Sequence, residues 1–92
     1  MMYVYILTNP GKSVLYIGVT NNLVRRLREH EVNRGSPKTF AGRYYCNKLI
    51  YYETFDRPYD AIRREKEIKK LSRENKFKLI KSKNPKLQFY IL

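Results

Sequence analysis

Two short runs of β-branched and aromatic residues, Met2 to Leu7 and Val14 to Val19, flank a turn-forming cluster, Asn9-Pro10-Gly11-Lys12. Runs of this kind on either side of so short a turn fold as an antiparallel hairpin, and the hairpin constrains everything that follows it. Side chains alternate between the two faces of a strand. With Tyr5 set opposite Tyr16, Val4 meets Ile17 and Ile6 meets Leu15 on the other side, which gives one aliphatic face and one tyrosine face. The aliphatic face must be covered by later elements.

Those elements are legible in turn. Asn21 or Asn22 is a plausible N-cap, and the apolar spacing Leu23, Val24, Leu27 predicts a helix to about Asn33, ended by Gly35-Ser36-Pro37. The stretch from Lys38 to Asn47 has no clear period. It contains Lys38, Arg43 and two adjacent tyrosines, and reads as a basic, aromatic loop suited to tracking a phosphate backbone. A third strand is predicted over Lys48 to Thr54. Asp56-Arg57-Pro58 starts a second helix reaching Leu71, and Ser72 caps a third, about Arg73 to Lys83, stopped by Asn84-Pro85. The order ββαβαα implies an α+β domain: a small three-stranded antiparallel sheet flanked by helices.

Ninety-two residues suffice for one domain, expected over residues 1–85 with 86–92 as a short apolar tail. A chain this small buries only about 60% of the surface its unfolded form exposes, so the core must be simple. Twenty Lys and Arg stand against eight Asp and Glu, a net charge of +12, which points to a polyanionic partner, above all nucleic acid. The single Cys46 cannot close an internal disulfide and has no spaced companions for a zinc site. No apolar run approaches a membrane span, and MMYVYIL lacks the features of a signal peptide, so a cytoplasmic protein is expected.

Several polar residues fall beside the expected core. At about 100° per residue, Arg26 and His30 lie one turn apart on the edge of the stripe formed by Leu23 and Leu27. Each could be an ordinary boundary residue, Arg26 lying along its aliphatic stem. Glu65 lies on the inward side of its helix between Ala61 and Ile68, while Glu67 points to solvent. An inward carboxylate needs a partner. Arg26 or Arg64 could serve, or a hard divalent cation held by one carboxylate together with water and phosphate oxygens. Tyr5 and Tyr16, each a normal strand residue, add two hydroxyls.

At these residues the sequence resembles the GIY-YIG nuclease superfamily, which includes homing endonucleases, the N-terminal nuclease domain of the excision-repair protein UvrC and small stand-alone bacterial proteins. Tyr3-Val4-Tyr5 stands at the family's first tripeptide and Tyr16-Ile17-Gly18 at the second; Arg26, His30 and Glu65 follow in the family's order. Arg64-Glu65-Lys66 followed by Ile68-Lys69 looks like the stand-alone members. Tyr3 replaces the family's first glycine, Asn84 is a loose match to a late asparagine, and no further DNA-binding domain is expected.

The resemblance implies a metal-dependent endonuclease acting on nucleic acid, DNA foremost. Tyr5, Tyr16, Arg26, His30 and Glu65 would be catalytic, Glu65 would hold Mg²⁺ or Mn²⁺, and Tyr5 would help take a proton from water. Lys38, Arg43, Lys69 and Arg73 are the candidate nucleic-acid contacts. The alternatives are a DNA- or RNA-binding module of the same fold without cleavage, and a basic structural protein of a ribonucleoprotein particle.

Overall fold

The turn between the first two strands is organised by one side chain. In the computed structural model, which describes residues 1–92, the side-chain carbonyl of Asn9 accepts from the backbone N–H of Ser13 at 2.8 Å and of Val14 at 3.0 Å. Lys12 N–H returns to the Asn9 carbonyl at 2.9 Å, and Lys12 takes the left-handed conformation at φ 57°. From this turn run β1 (Met2–Thr8) and β2 (Leu15–Thr20).

Their register differs from the expectation by two residues. Tyr5 lies opposite Gly18, not Tyr16; Ile6 pairs with Ile17 and Val4 with Val19. An even shift leaves every side chain on its expected face, so the aliphatic and tyrosine faces survive. Space selects the register. A Cβ placed on Gly18 would stand 2.4 Å from Tyr5 Oη and 2.5 Å from its Cζ, so the phenol ring occupies the place of the missing side chain.

The third strand, β3 (Lys48–Phe55), pairs antiparallel with β1, giving the sheet order β2-β1-β3. Between Ile6 and Leu7 the register slips, Ile6 pairing with Tyr51 and Leu7 with Leu49, so Ile50 bulges. The helices are α1 (Leu23–Val32), α2 (Phe40–Arg43), α3 (Pro58–Lys69) and α4 (Arg73–Lys83). The side chain of Asn22 caps α1 and that of Ser72 caps α4, each accepting a backbone N–H. Pro58 opens α3, where a backbone N–H would have no intrahelical acceptor, so proline's lack of one costs nothing. The loop expected over Lys38 to Asn47 contains the single turn α2, whose cap Thr39 accepts from Gly42 N–H at 2.9 Å. Four residues are too few to show helical periodicity.

The sheet separates two apolar clusters. Val4, Ile6, Ile17, Ile50 and Tyr51 pack with Ala61 and Ile68 of α3 and Ile80 of α4. On the other face Tyr5, Leu7 and Leu49 pack with Leu23 of α1, Ala41 of α2 and Cys46. Asn84, 5% exposed, donates to the carbonyls of Ile50 and Gln88, each at 2.9 Å, and accepts from Gln88 N–H at 3.0 Å. The chain beyond it curls round β3, with Leu87 and Phe89 against the first cluster, Tyr90 against the second, and Tyr90 N–H donating to Leu49 O at 2.7 Å. Asn84 thus acts as a clasp between helix, sheet and tail.

Candidate active site

Tyr5 is the hub of a buried polar cluster on the tyrosine face. Its ring is 1% exposed. Its hydroxyl lies 3.1 Å from His30 Nε2 and accepts from Arg26 Nε at 3.4 Å. Both partners come from α1, one turn apart, as the helical spacing requires. The arginine N–H can only donate, so the phenol O–H is left to donate to the imidazole. His30 then accepts at Nε2 and carries its proton on Nδ1. Burial and the nearby Arg26 guanidinium push the His30 pKa down to about 4, so the ring is neutral at pH 7. Burial pushes the Tyr5 phenol up to about 12, with the Arg26 hydrogen bond acting against it.

Tyr16 occupies a different setting. It is half-buried, its ring meets His30 edge-on at 5.2 Å between centroids and stacks beside Phe40 at 6.4 Å. It lines a hollow of about 290 Å³ with Arg26, His30, Asn33, Thr39 and Phe40. Tyr5 does not reach this hollow. The Tyr5 phenol is thus enclosed and hard to ionise. Arg26 spends Nε on Tyr5 and Nη1 on Glu29, at 3.0 Å, and the rest of its guanidinium faces the hollow it lines with Tyr16.

Glu65 comes from α3, which packs on the opposite face of the sheet. Ala61 and Ile68, both fully buried, mark the inward line of α3, and at about 100° per residue Arg64 and Glu65 flank that line on either side. Arg64 forms a two-pronged ion pair with Glu53 of β3, at 2.9 and 3.0 Å. Burial disfavours the Glu53 carboxylate, but hydrogen bonds from Arg64 and Tyr51 outweigh it and hold the pKa below the usual range. With Arg64 committed to β3, the Glu65 flank faces the β2 side, the edge from which Tyr16 emerges on the other face. The Glu65 side chain is 15% exposed and pairs with Lys69 at 3.2 Å. It has no bond to Arg26 or Arg64, the two partners the sequence suggested.

No group of three or more His, Cys, Asp or Glu side chains could form a closed metal cage. A lone, half-buried carboxylate fits instead a hard divalent ion that keeps its waters and takes phosphate oxygens as further ligands. Four of the five expected residues, Tyr5, Tyr16, Arg26 and His30, therefore share one cluster, and Glu65 makes no hydrogen bond or ion pair to any of them. Of the four candidate nucleic-acid contacts, Lys38 and Arg43 sit on the α2 loop, with Arg43 donating to Pro37 O at 3.1 Å. Lys69 pairs with Glu65, and Arg73 donates to Ser13 O at 2.6 Å. Asn84 belongs to the clasp and not to the cluster. Asn33, Thr39 and Phe40 of the hollow were not expected; Thr39 ahead of Phe-Ala-Gly-Arg was the available sign of a capped turn.

Residues 1–78 match the GIY-YIG catalytic domain family. This chain is a member of the GIY-YIG family. A UPF0213 protein of Clostridium perfringens is 44% identical over 98% of this chain and 94% of its own length. One from Natronomonas pharaonis is 41% identical over 85% of this chain and 88% of its own. The solution structure of a UPF0213 protein from Bacillus halodurans superposes with a TM-score of 0.57 at 33% identity, covering 94% of this chain and 89% of that one. GIY-YIG domains are nuclease domains and generally use a divalent metal, so the family implies a nucleic-acid partner. No helix is long and apolar enough to cross a membrane.

Proposed function

We propose that the protein is a divalent-metal-dependent endonuclease that hydrolyses nucleic-acid phosphodiester bonds, DNA foremost. The observation that carries this reading is the convergence of Arg26, His30 and Tyr16 on one hollow behind which Tyr5 ties the first two together. Glu65 would hold Mg²⁺ or Mn²⁺, which would neutralise the phosphate and stabilise the departing oxygen.

The chain's own groups divide the remaining work. The Arg26 guanidinium meets a phosphate oxygen, and loss of such a contact typically costs about 10² to 10³ in rate. Tyr16, half-buried and on the hollow, orients the attacking water, whose proton leaves to solvent, with the neutral His30 ring packed edge-on beside it. Tyr5 is the positioning residue: by taking a hydrogen bond from Arg26 and giving one to His30, it fixes both side chains and the His30 tautomer. The hollow's wall of Phe40, Thr39 and Ala41 limits water around the reacting phosphate. Lys38 and Arg43 on the α2 loop supply charge along the incoming backbone.

A panel of plasmid, single-stranded, flap and junction substrates with Mg²⁺ or Mn²⁺ tests the reading. Cleavage that EDTA abolishes and Glu65→Ala lacks is expected; full cleavage by Glu65→Ala would remove its metal role. The Lys69–Glu65 ion pair, which occupies the acid, favours a second reading, a nucleic-acid-binding module without cleavage. Salt-sensitive binding with no cleavage under any metal would establish it.

A further inference from the structure

A second hollow, about 220 Å³, lies beside the first and is lined by Ser13, Val14, Leu15, Phe40, Arg73 and Lys76. Phe40 is common to both, so a single ring, 52% exposed, forms the wall between them. Arg73 is held firmly. Its Nη2 donates to Ser13 O at 2.6 Å, and its guanidinium lies over the Phe77 ring, 5.2 Å from the centroid. Lys76 is half-buried.

Neither cation has a carboxylate partner, although nearby lysines do: Lys78 pairs with Glu74 at 3.5 Å and Lys69 with Glu65 at 3.2 Å. Two unneutralised cations at one concavity, one of them half-buried and the other immobilised, favour an anion with several acceptor oxygens. The apolar floor of Val14 and Leu15 and the Phe40 ring suit the sugar and base attached to such an anion.

We propose that Arg73 and Lys76 form a subsite for a second backbone phosphate of the bound strand, flanking the phosphate held in the Tyr16–Arg26–His30 hollow, with Phe40 between the two. The inference rests on the nucleic-acid reading above, but not on cleavage. The strand crosses Phe40 from one hollow to the other, so the two phosphates belong to one chain. Arg73 acts as a fixed fork and Lys76 as a mobile point charge.

Binding measured in EDTA, where no strand is cut, tests the subsite. A short fluorescein-labelled DNA strand is made with a single neutral methylphosphonate linkage walked along it. In the wild-type protein a neutral linkage at the flanking position weakens binding by at least about tenfold. In Arg73→Gln/Lys76→Gln that penalty disappears, and the slope of log K against log[salt] becomes shallower by about 0.7 to 0.9. Lys76→Gln alone removes neither of Arg73's contacts, with Ser13 O and the Phe77 ring, so it leaves the Arg73 anchor in place and is expected to shrink the same penalty. A walk and a salt slope unchanged in both variants would overturn the subsite. Cleavage on the metal panel together with an unchanged walk would refute the subsite and keep the nuclease. A walk that depends on Arg73 and Lys76, with no cleavage under any metal, would do the reverse.

Discussion

Replacing Gly18 by alanine tests the packing on which the buried cluster depends. The new Cβ would stand 2.4 Å from Tyr5 Oη, 2.5 Å from Cζ and 3.0 Å from Cε1. Carbon contacts are comfortable only from about 3.5 Å, so the ring must retreat by about 1 Å. It has nowhere to go, being 1% exposed and bonded to His30 and Arg26. Overpacking of this kind typically costs about 1 to 3 kcal/mol, and loss of the hydrogen bonds adds about 1 kcal/mol each. A loss near 3 kcal/mol lowers Tm by roughly 12 to 24 °C in a chain of this size. Elsewhere a Gly-to-Ala change with no strain stabilises by about 0.4 to 1 kcal/mol, so the sign alone discriminates. Thermal and urea unfolding of Gly18→Ala, Tyr5→Leu and the double variant should give a coupling of at least about 1 kcal/mol, because removing the ring removes the clash. A Gly18→Ala protein as stable as wild type, or losses that simply add, would refute the argument.

His30, followed by its ring proton shifts in NMR, should titrate with a midpoint near 4 in the folded protein; a midpoint at the ordinary 6.5 would show the imidazole is not buried as described. Its folded pKa lies below the unfolded value, so the unfolded chain binds more protons between about pH 6.5 and 4. Stability should therefore fall with acidification across that window, and the part due to His30 should vanish in His30→Gln. Arg64→Met leaves the Glu53 carboxylate half-enclosed without its partner and should cost about 2 kcal/mol in urea unfolding; Glu53→Gln/Arg64→Met should recover part of it. Asn84→Ala orphans two carbonyls and one N–H and should cost about 2 to 3 kcal/mol, with faster proteolysis after Lys86 as the local readout.

The strand and helix pattern was readable because alternation and caps are local. Asn22, Ser72 and Pro58 each mark a helix start through chemistry confined to a few residues. The hairpin register was not readable from alternation, since a shift of two residues preserves both faces; only the need for empty space opposite Tyr5 selects Gly18. Helical spacing sufficed to put Arg26 and His30 side by side. Which tyrosine is enclosed was hidden, because Tyr5 and Tyr16 share a face and differ only in lying on the central and the edge strand. The inward side of Glu65 was visible from Ala61 and Ile68. Its direction along the sheet was not, because that follows from the Arg64–Glu53 pair, and Glu53 is set by pairing across the β1–β3 bulge.

Burial of the cluster separates two kinds of selection. Tyr5, Gly18 and His30 interlock inside the protein, so a descendant that abandoned strand scission would still keep them in order to fold. Glu65, whose only bond is to the exposed Lys69, is under no such obligation and would drift as soon as the reaction ceased to matter. Among relatives, the paired tripeptides are a signature of the hairpin, and on the proposed reading the fate of the acid on α3 would mark a working nuclease.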